Sequence, residues 1–216
     1  MISHKLKFIF IHIPKCGGTS IEHKLLNFHG ISNERLKNIY ANLTLHEKQE
    51  YCLYYIQDGI YVQHRKINEY EDYIEKNFFT FTFVRNPWDK FLSEYHYIKK
   101  FNGCRCSEFA EKFPTFKHFV INDGIRCCYL AHDIPQVDFV MDAETQKQTN
   151  FVGRFENLQN DFNIVCDKIG IPHLPLSHKN KGKHIHYAEY YDDETKEIVA
   201  KKYAKDIKYF GYEFGE

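Results

Sequence analysis

KFIFIHIPKCGGTS, residues 7–20, decides the fold. Its first seven residues are apolar apart from Lys7 and His12 and rich in β-branched and aromatic side chains, the composition of a buried strand. Pro14 and the pair Gly17-Gly18 stop that strand and predict a tight loop. A helix is expected next, because Thr19 and Ser20 can cap it, Glu22 suits its first turn, and Ile21, Leu25, Leu26 and Phe28 recur at helical spacing.

The same order returns downstream. Residues 78–84 (FFTFTFV) predict a second strand, stopped by Arg85-Asn86-Pro87, after which Trp88, Phe91, Leu92, Tyr95 and Ile98 trace a helix with proline at its start. Residues 44–55 read as helical, Asp58-Gly59 as a turn into a short strand over 60–64, and 68–76 as a polar helix. Residues 102–133 are mixed and mainly helical, with Phe113, Phe116, Phe119 and Val120 as core candidates. Short strands are expected at 139–141 and 151–154, a helix at 158–169 closed by Gly170, a basic loop over 177–186, and a helix over 192–203. With no repeat, low-complexity tract or linker, residues 1–216 are expected to form a single α/β domain around a parallel sheet covered on both faces.

Composition narrows the function classes. The 216 residues, 43% hydrophobic and 17% aromatic, suffice for a full core. Lys plus Arg and Asp plus Glu both number 29, so no global field draws the chain to nucleic acid or an anionic membrane, and an anion site must be local. The N-terminal apolar run is too short for a signal peptide and no segment approaches the roughly 20 apolar residues of a membrane span, so a cytoplasmic location is expected. Seven cysteines are an odd count for a disulfide framework. Cys16, Cys52 and Cys166 are single, while Cys104, Cys106, Cys127 and Cys128 could be free, bridged or zinc-bound. They lack C-x₂-C spacing, and the expected metal complement is none.

Between its strand and helix, Pro14-Lys15-Cys16-Gly17-Gly18-Thr19-Ser20 has the makings of an anion cradle. Glycines let backbone approach a phosphate closely, the helix N-terminus turns N–H groups and a positive dipole end toward it, and Lys15, Thr19 and Ser20 add donors. An ordinary glycine turn is the alternative. A Mg-dependent P-loop kinase would read G-x-x-x-x-G-K-[ST] and would end a strand in a metal-holding Asp. Here Lys15 leads the loop and the second strand ends in Arg85, with Asp142 as a weak substitute for the metal-binding acid. The second constellation is Arg85 at that strand end and Ser93 on the following helix: a planar guanidinium matched to phosphate plus a hydroxyl, at the strand-end edge where such sheets bind ligands. A salt-bridged Arg with a solvated Ser is the bland alternative.

FIHIPKCGGTS together with FVRNPWDKFLSEY resembles the paired 5′- and 3′-phosphate motifs of sulfotransferases that use 3′-phosphoadenosine-5′-phosphosulfate (PAPS). His64 before the second strand, Pro135-Gln136-Val137-Asp138 midway, and FVGRFENLQND at 151–161 resemble most the carbohydrate branch of heparan sulfate 2-O- and chondroitin sulfotransferases. The resemblance implies a P-loop NTPase-like three-layer α/β/α fold with a central parallel sheet. It also implies that Lys15, Cys16, Gly17, Gly18, Thr19 and Ser20 hold the 5′-phosphosulfate and that Arg85 and Ser93 hold the 3′-phosphate. Lys181, Gly182 and Lys183 lie in a basic loop that closes over the nucleotide in relatives, although a solvated charge run reads the same. The resemblance further implies that no metal is required, that the product is 3′,5′-adenosine diphosphate, and that the partner is a hydroxyl-bearing acceptor, a glycan or small molecule.

Sulfuryl transfer needs in-line alignment and neutralised charge on the leaving oxygen, a role for Lys15, and a base for the acceptor proton. An imidazole with an ordinary pKa near 6.5 suits that task. His64 matches the family's catalytic histidine, although Gln63 replaces the usual preceding glycine. A structural His64, and His184 or His186 as the base, are the alternatives, while His12 in the first strand is expected to be structural. A kinase and a non-catalytic nucleotide-binding module remain the rival functions. Acceptor identity, oligomeric state and adenine contacts are not legible.

Overall fold

The computed structural model describes residues 1–28, 54–56, 59–61, 64–70, 76–100, 111–127, 130–176 and 185–216. They fall into two units. One comprises Met1–Val84 and Asp138–Ser177, the other Arg85–Val137 and His178–Glu216, so the chain crosses between them three times.

The first unit holds a four-stranded sheet in the order β1 (Ile2–Ser3), β2 (Phe8–Ile11), β5 (Phe79–Val84), β6 (Phe151–Arg154), with a separate pair, β3 (Tyr54–Ile56) and β4 (Gly59–Tyr61). Strands β2, β5 and β6 run parallel, with Phe10 opposite Phe81 and Val84 opposite Arg154. Strand β1 pairs antiparallel with β2, an edge that the polar N-terminal residues do not announce. All four residues of β2 are buried, which is why its sequence is apolar without alternation. Phe10 and Phe81 stack at 5.0 Å across the shared register. The threonines of FTFTFV are buried too, and each is satisfied. Thr82 donates from Oγ1 to the Ile11 carbonyl at 2.7 Å, and Thr80 exchanges hydrogen bonds with Asn150, whose side-chain oxygen accepts from Thr80 Oγ1 at 2.9 Å.

Two expectations are corrected in this unit. Residues 54–56 form a strand, not the end of a helix. Their register places Ile56 opposite Gly59, so a partner strand close by in the chain claims the segment. Residues 139–141 are not a strand: Val137–Val140 is a helical turn, followed by a single bridge between Met141 and Gln148. The polar helix expected over 68–76 is represented by a short 3₁₀ turn, Ile67–Tyr70, with 71–75 outside the described residues.

The second unit is helical: Pro87–Lys100, Phe116–Ile121, Leu130–Asp133, Asp193–Lys202 and Ala204–Phe210. Its core gathers Trp88, Phe91, Tyr95, Phe116, Phe119 and Tyr203, with Phe91 and Phe119 at 5.3 Å between ring centroids. Asp192 and Thr195 form a capping box that starts Asp193–Lys202, one residue later than expected.

Candidate active site

The turn between β2 and the helix Gly18–Phe28 has an unusual backbone path. Lys15 has φ +65° and Gly17 φ +82°, whereas Cys16 and Gly18 between and after them stay out of the positive region, so the handedness of the backbone alternates over four residues. Successive N–H groups in such an alternation point into one concavity. The helix begins there, and its first N–H groups have no intrahelical acceptor and carry the positive dipole end. The Gly17 carbonyl accepts from Ser20 N at 3.1 Å and Ile21 N at 3.4 Å, which starts the helix one residue ahead of Thr19. Thr19 and Ser20 therefore occupy the first turn rather than precede it, correcting the expectation that they cap the helix. Cys16 is buried with its thiol on the Pro14 carbonyl at 3.4 Å, so its backbone, not its side chain, lines the turn.

Gly18 is required by a neighbour rather than by its dihedrals. A Cβ at this position would lie 2.3 Å from both Cδ2 and Nε2 of His12. The His12 ring thus sits directly beneath the start of the helix, at 4% exposure, and its Nδ1 is 2.8 Å from Oε1 of Glu22, itself 2% exposed. Expected to be a structural histidine, His12 belongs to a buried imidazole–carboxylate pair wedged under the cradle. Glu22, expected in the first turn, lies in the second turn on the buried face with Ile21, Leu25 and Leu26. An acid inside an apolar stripe was the signal available in the sequence.

His64 joins this cluster across 52 residues of chain. Its Nδ1 is 2.9 Å from the His12 carbonyl, and its ring meets the His12 ring edge-on at 4.8 Å between centroids. A carbonyl can only accept, so Nδ1 carries the proton, and the neutral ring then has its lone pair on Nε2, the atom that a general base uses. His64 holds φ +60°, an uncommon conformation for a side chain of this size. Within the first unit, then, the histidine singled out from sequence is tethered to the residue that underlies the glycine turn.

Arg85 and Ser93 are carried by the second unit. Gln136 clasps the Arg85 backbone from both sides: its Oε1 accepts from Arg85 N at 2.8 Å and its Nε2 donates to the Arg85 carbonyl at 2.8 Å. Arg85 Nε donates to Asp89 Oδ2 at 2.7 Å, with both side chains largely buried. Ser93, half-buried, lies one helical turn beyond Asp89 on Pro87–Lys100, so these two share one helix face, and Arg85 precedes the helix. Asn86 accepts from Trp88 N at 3.1 Å and so begins the helix. Asp142, the weak candidate for a metal-binding acid, caps its own turn: it accepts from Glu144 N and Thr145 Oγ1, each at 2.9 Å, and these bonds hold its carboxyl below the usual range.

Lys181, Gly182, Lys183 and His184 lie outside the described residues, as do Cys52, Cys104, Cys106 and Cys128. His186 is exposed and accepts from Ala188 N at 3.4 Å, capping the turn Tyr187–Tyr190.

An uncharacterized protein of Archaeoglobus fulgidus is 33% identical over 96 residues, covering 44% of this chain and 70% of that protein. The model of the sulfotransferase family matches residues 1–213, which takes in the glycine turn, His64, Arg85, Ser93 and Gln136. With nearly its whole length matched and a backbone turn suited to an anion at the expected position, the chain belongs to the sulfotransferase family.

Proposed function

We propose that this chain moves the sulfuryl group of PAPS to a hydroxyl of a carbohydrate acceptor. The observation that carries the proposal is the alternation of backbone handedness from Lys15 to Gly18 at a helix start, with His64 bound to the residue beneath it. The backbone N–H groups of residues 16–19, the Ser20 hydroxyl and the Lys15 ammonium take the 5′-phosphosulfate, and Arg85 and Ser93 take the 3′-phosphate. In the transfer a bond forms between acceptor oxygen and sulfur while the bond from sulfur to the phosphate oxygen breaks. The acceptor proton passes to Nε2 of His64, and charge accumulating on the leaving oxygen is neutralised by Lys15. The geometry supports His64 as base because its Nδ1 bond fixes the tautomer that leaves Nε2 basic.

Thermal-shift measurements with 3′,5′-adenosine diphosphate and with ATP plus Mg²⁺ separate this from the kinase. A ligand at about 100 times its Kd adds ~2.7 kcal/mol of stability. Stabilisation by 3′,5′-adenosine diphosphate is expected, and stabilisation by ATP with Mg²⁺ alone overturns the proposal. His64→Ala should keep nucleotide affinity and lose transfer from labelled PAPS, which also separates an enzyme from a non-catalytic module.

A further inference from the structure

Gln136 and Asp206 have no place in the chemistry above, yet both are fully buried, Gln136 against Arg85 and Asp206 against Gln136, and the polar groups they satisfy belong mainly to the backbone. The Gln136 amide bonds the N–H and the C=O of Arg85 at 2.8 Å each, which is what a neighbouring strand does for one residue of a sheet. Gln136 cannot drift, because Asp206 holds its own backbone: the carboxylate accepts from Gln136 N at 2.9 Å and from Val137 N at 2.9 Å, with a longer contact of 3.4 Å to Gln136 Nε2. Asp206 stands on the helix Ala204–Phe210, about 70 residues from Gln136 along the chain. A buried acid is costly unless it is well bonded, and Asp206 is placed at this junction against that cost.

We propose that Gln136, anchored by Asp206, is a positioning residue for Arg85 and sets how strongly the protein discriminates in favour of a 3′-phosphate on the nucleotide. A guanidinium recognises phosphate through a fork of fixed geometry, so its value depends on where its Cα is held. Asp89 steadies the side chain at Nε, and Gln136 steadies the peptide from which that side chain springs. The inference rests on the assignment of Arg85 to the 3′-phosphate.

The test measures binding, not turnover. Dissociation constants of 3′,5′-adenosine diphosphate and of 5′-AMP, which lacks the 3′-phosphate, are obtained by calorimetry for wild type, Arg85→Ala, Gln136→Met and the double variant. Methionine keeps the length and volume of glutamine and removes both hydrogen bonds. Gln136→Met is expected to reduce the 5′-AMP to 3′,5′-adenosine diphosphate ratio of dissociation constants at least tenfold while 5′-AMP affinity changes less than threefold. In the Arg85→Ala background the same change should leave the ratio where Arg85→Ala alone puts it. A merely structural role would weaken both nucleotides in proportion, and that outcome, or an unchanged ratio, overturns the inference. A wild-type ratio near one removes the 3′-phosphate assignment itself and this inference with it. Should Gln136→Met not fold, Asp206→Asn, which keeps one acceptor oxygen, is held to the same criterion.

Discussion

Gly18→Ala tests the packing on which the candidate site is built. The added methyl would sit 2.3 Å from two atoms of the His12 ring and 2.8 Å from a third, about 1 Å closer than an ordinary contact of 3.4 Å or more. Relief requires the His12 ring or the helix start to move, and the ring is held by Glu22 at 2.8 Å. Overpacking of this kind costs about 1–3 kcal/mol, and if the ring instead swings away from Glu22 the lost hydrogen bond costs a similar amount, roughly 1–3 kcal/mol. Replacing glycine with alanine at a helical position returns about 0.5–1 kcal/mol, less at a first helical residue. The expected net loss is about 2 kcal/mol, a fall in Tm of roughly 4–8 °C for a chain of this length. Urea unfolding and thermal scans of Gly18→Ala measure it in wild type and in a His12→Ala, Glu22→Gln background, where the ring is absent and no carboxylate is left unpaired. In that background the substitution should be neutral or slightly stabilising, giving a coupling of about 2 kcal/mol. Equal losses in both backgrounds, or a wild-type loss below about 0.5 kcal/mol, would refute the close approach.

Glu22→Ala should destabilise by about 1–3 kcal/mol, because it strips the partner from a buried polar ring, while Glu22→Gln, which still offers an oxygen to His12 Nδ1, should cost less than half of that in the same urea titrations. Asp206 gives a pH dependence of known sign. Burial pushes its carboxyl above the ordinary value near 4, and the N–H bonds from Val137 and Gln136 only partly offset this. The folded state thus holds this proton more tightly than the unfolded state, so the contribution is fully present below the unfolded pKa and is lost as pH rises through the folded one. The unfolding free energy of Asp206→Asn relative to wild type should move in favour of the variant between pH 3 and pH 7, and a pH-independent difference would contradict it.

The sulfotransferase family match, nearly the full length of the chain, agrees with a reading that starts from two short stretches. Strand β2, strand β5 and the helices at 87–100 and 158–169 were legible because each is a run whose composition and period admit one solution: apolar without alternation for buried parallel strands, apolar at 3.6 spacing for helices. Segments with weaker patterns were decided by partners. Residues 54–56 became a strand because 59–61 lay opposite, and Val137–Val140 became helical where Asp206 takes the N–H groups of Gln136 and Val137.

By itself, the sequence determined the strongly patterned elements, the glycine turn and the residue types able to hold phosphate, since these depend on local propensity and on chemistry carried within a few residues. Only the tertiary structure decided which groups support them. His12 under Gly18, His64 on the His12 carbonyl, Gln136 on the Arg85 backbone and Asp206 on Gln136 join positions 6, 52, 51 and 70 residues apart. Such contacts are selected by burial, where every polar group must find a partner from whatever part of the chain the packing delivers, and no local pattern specifies which one that will be.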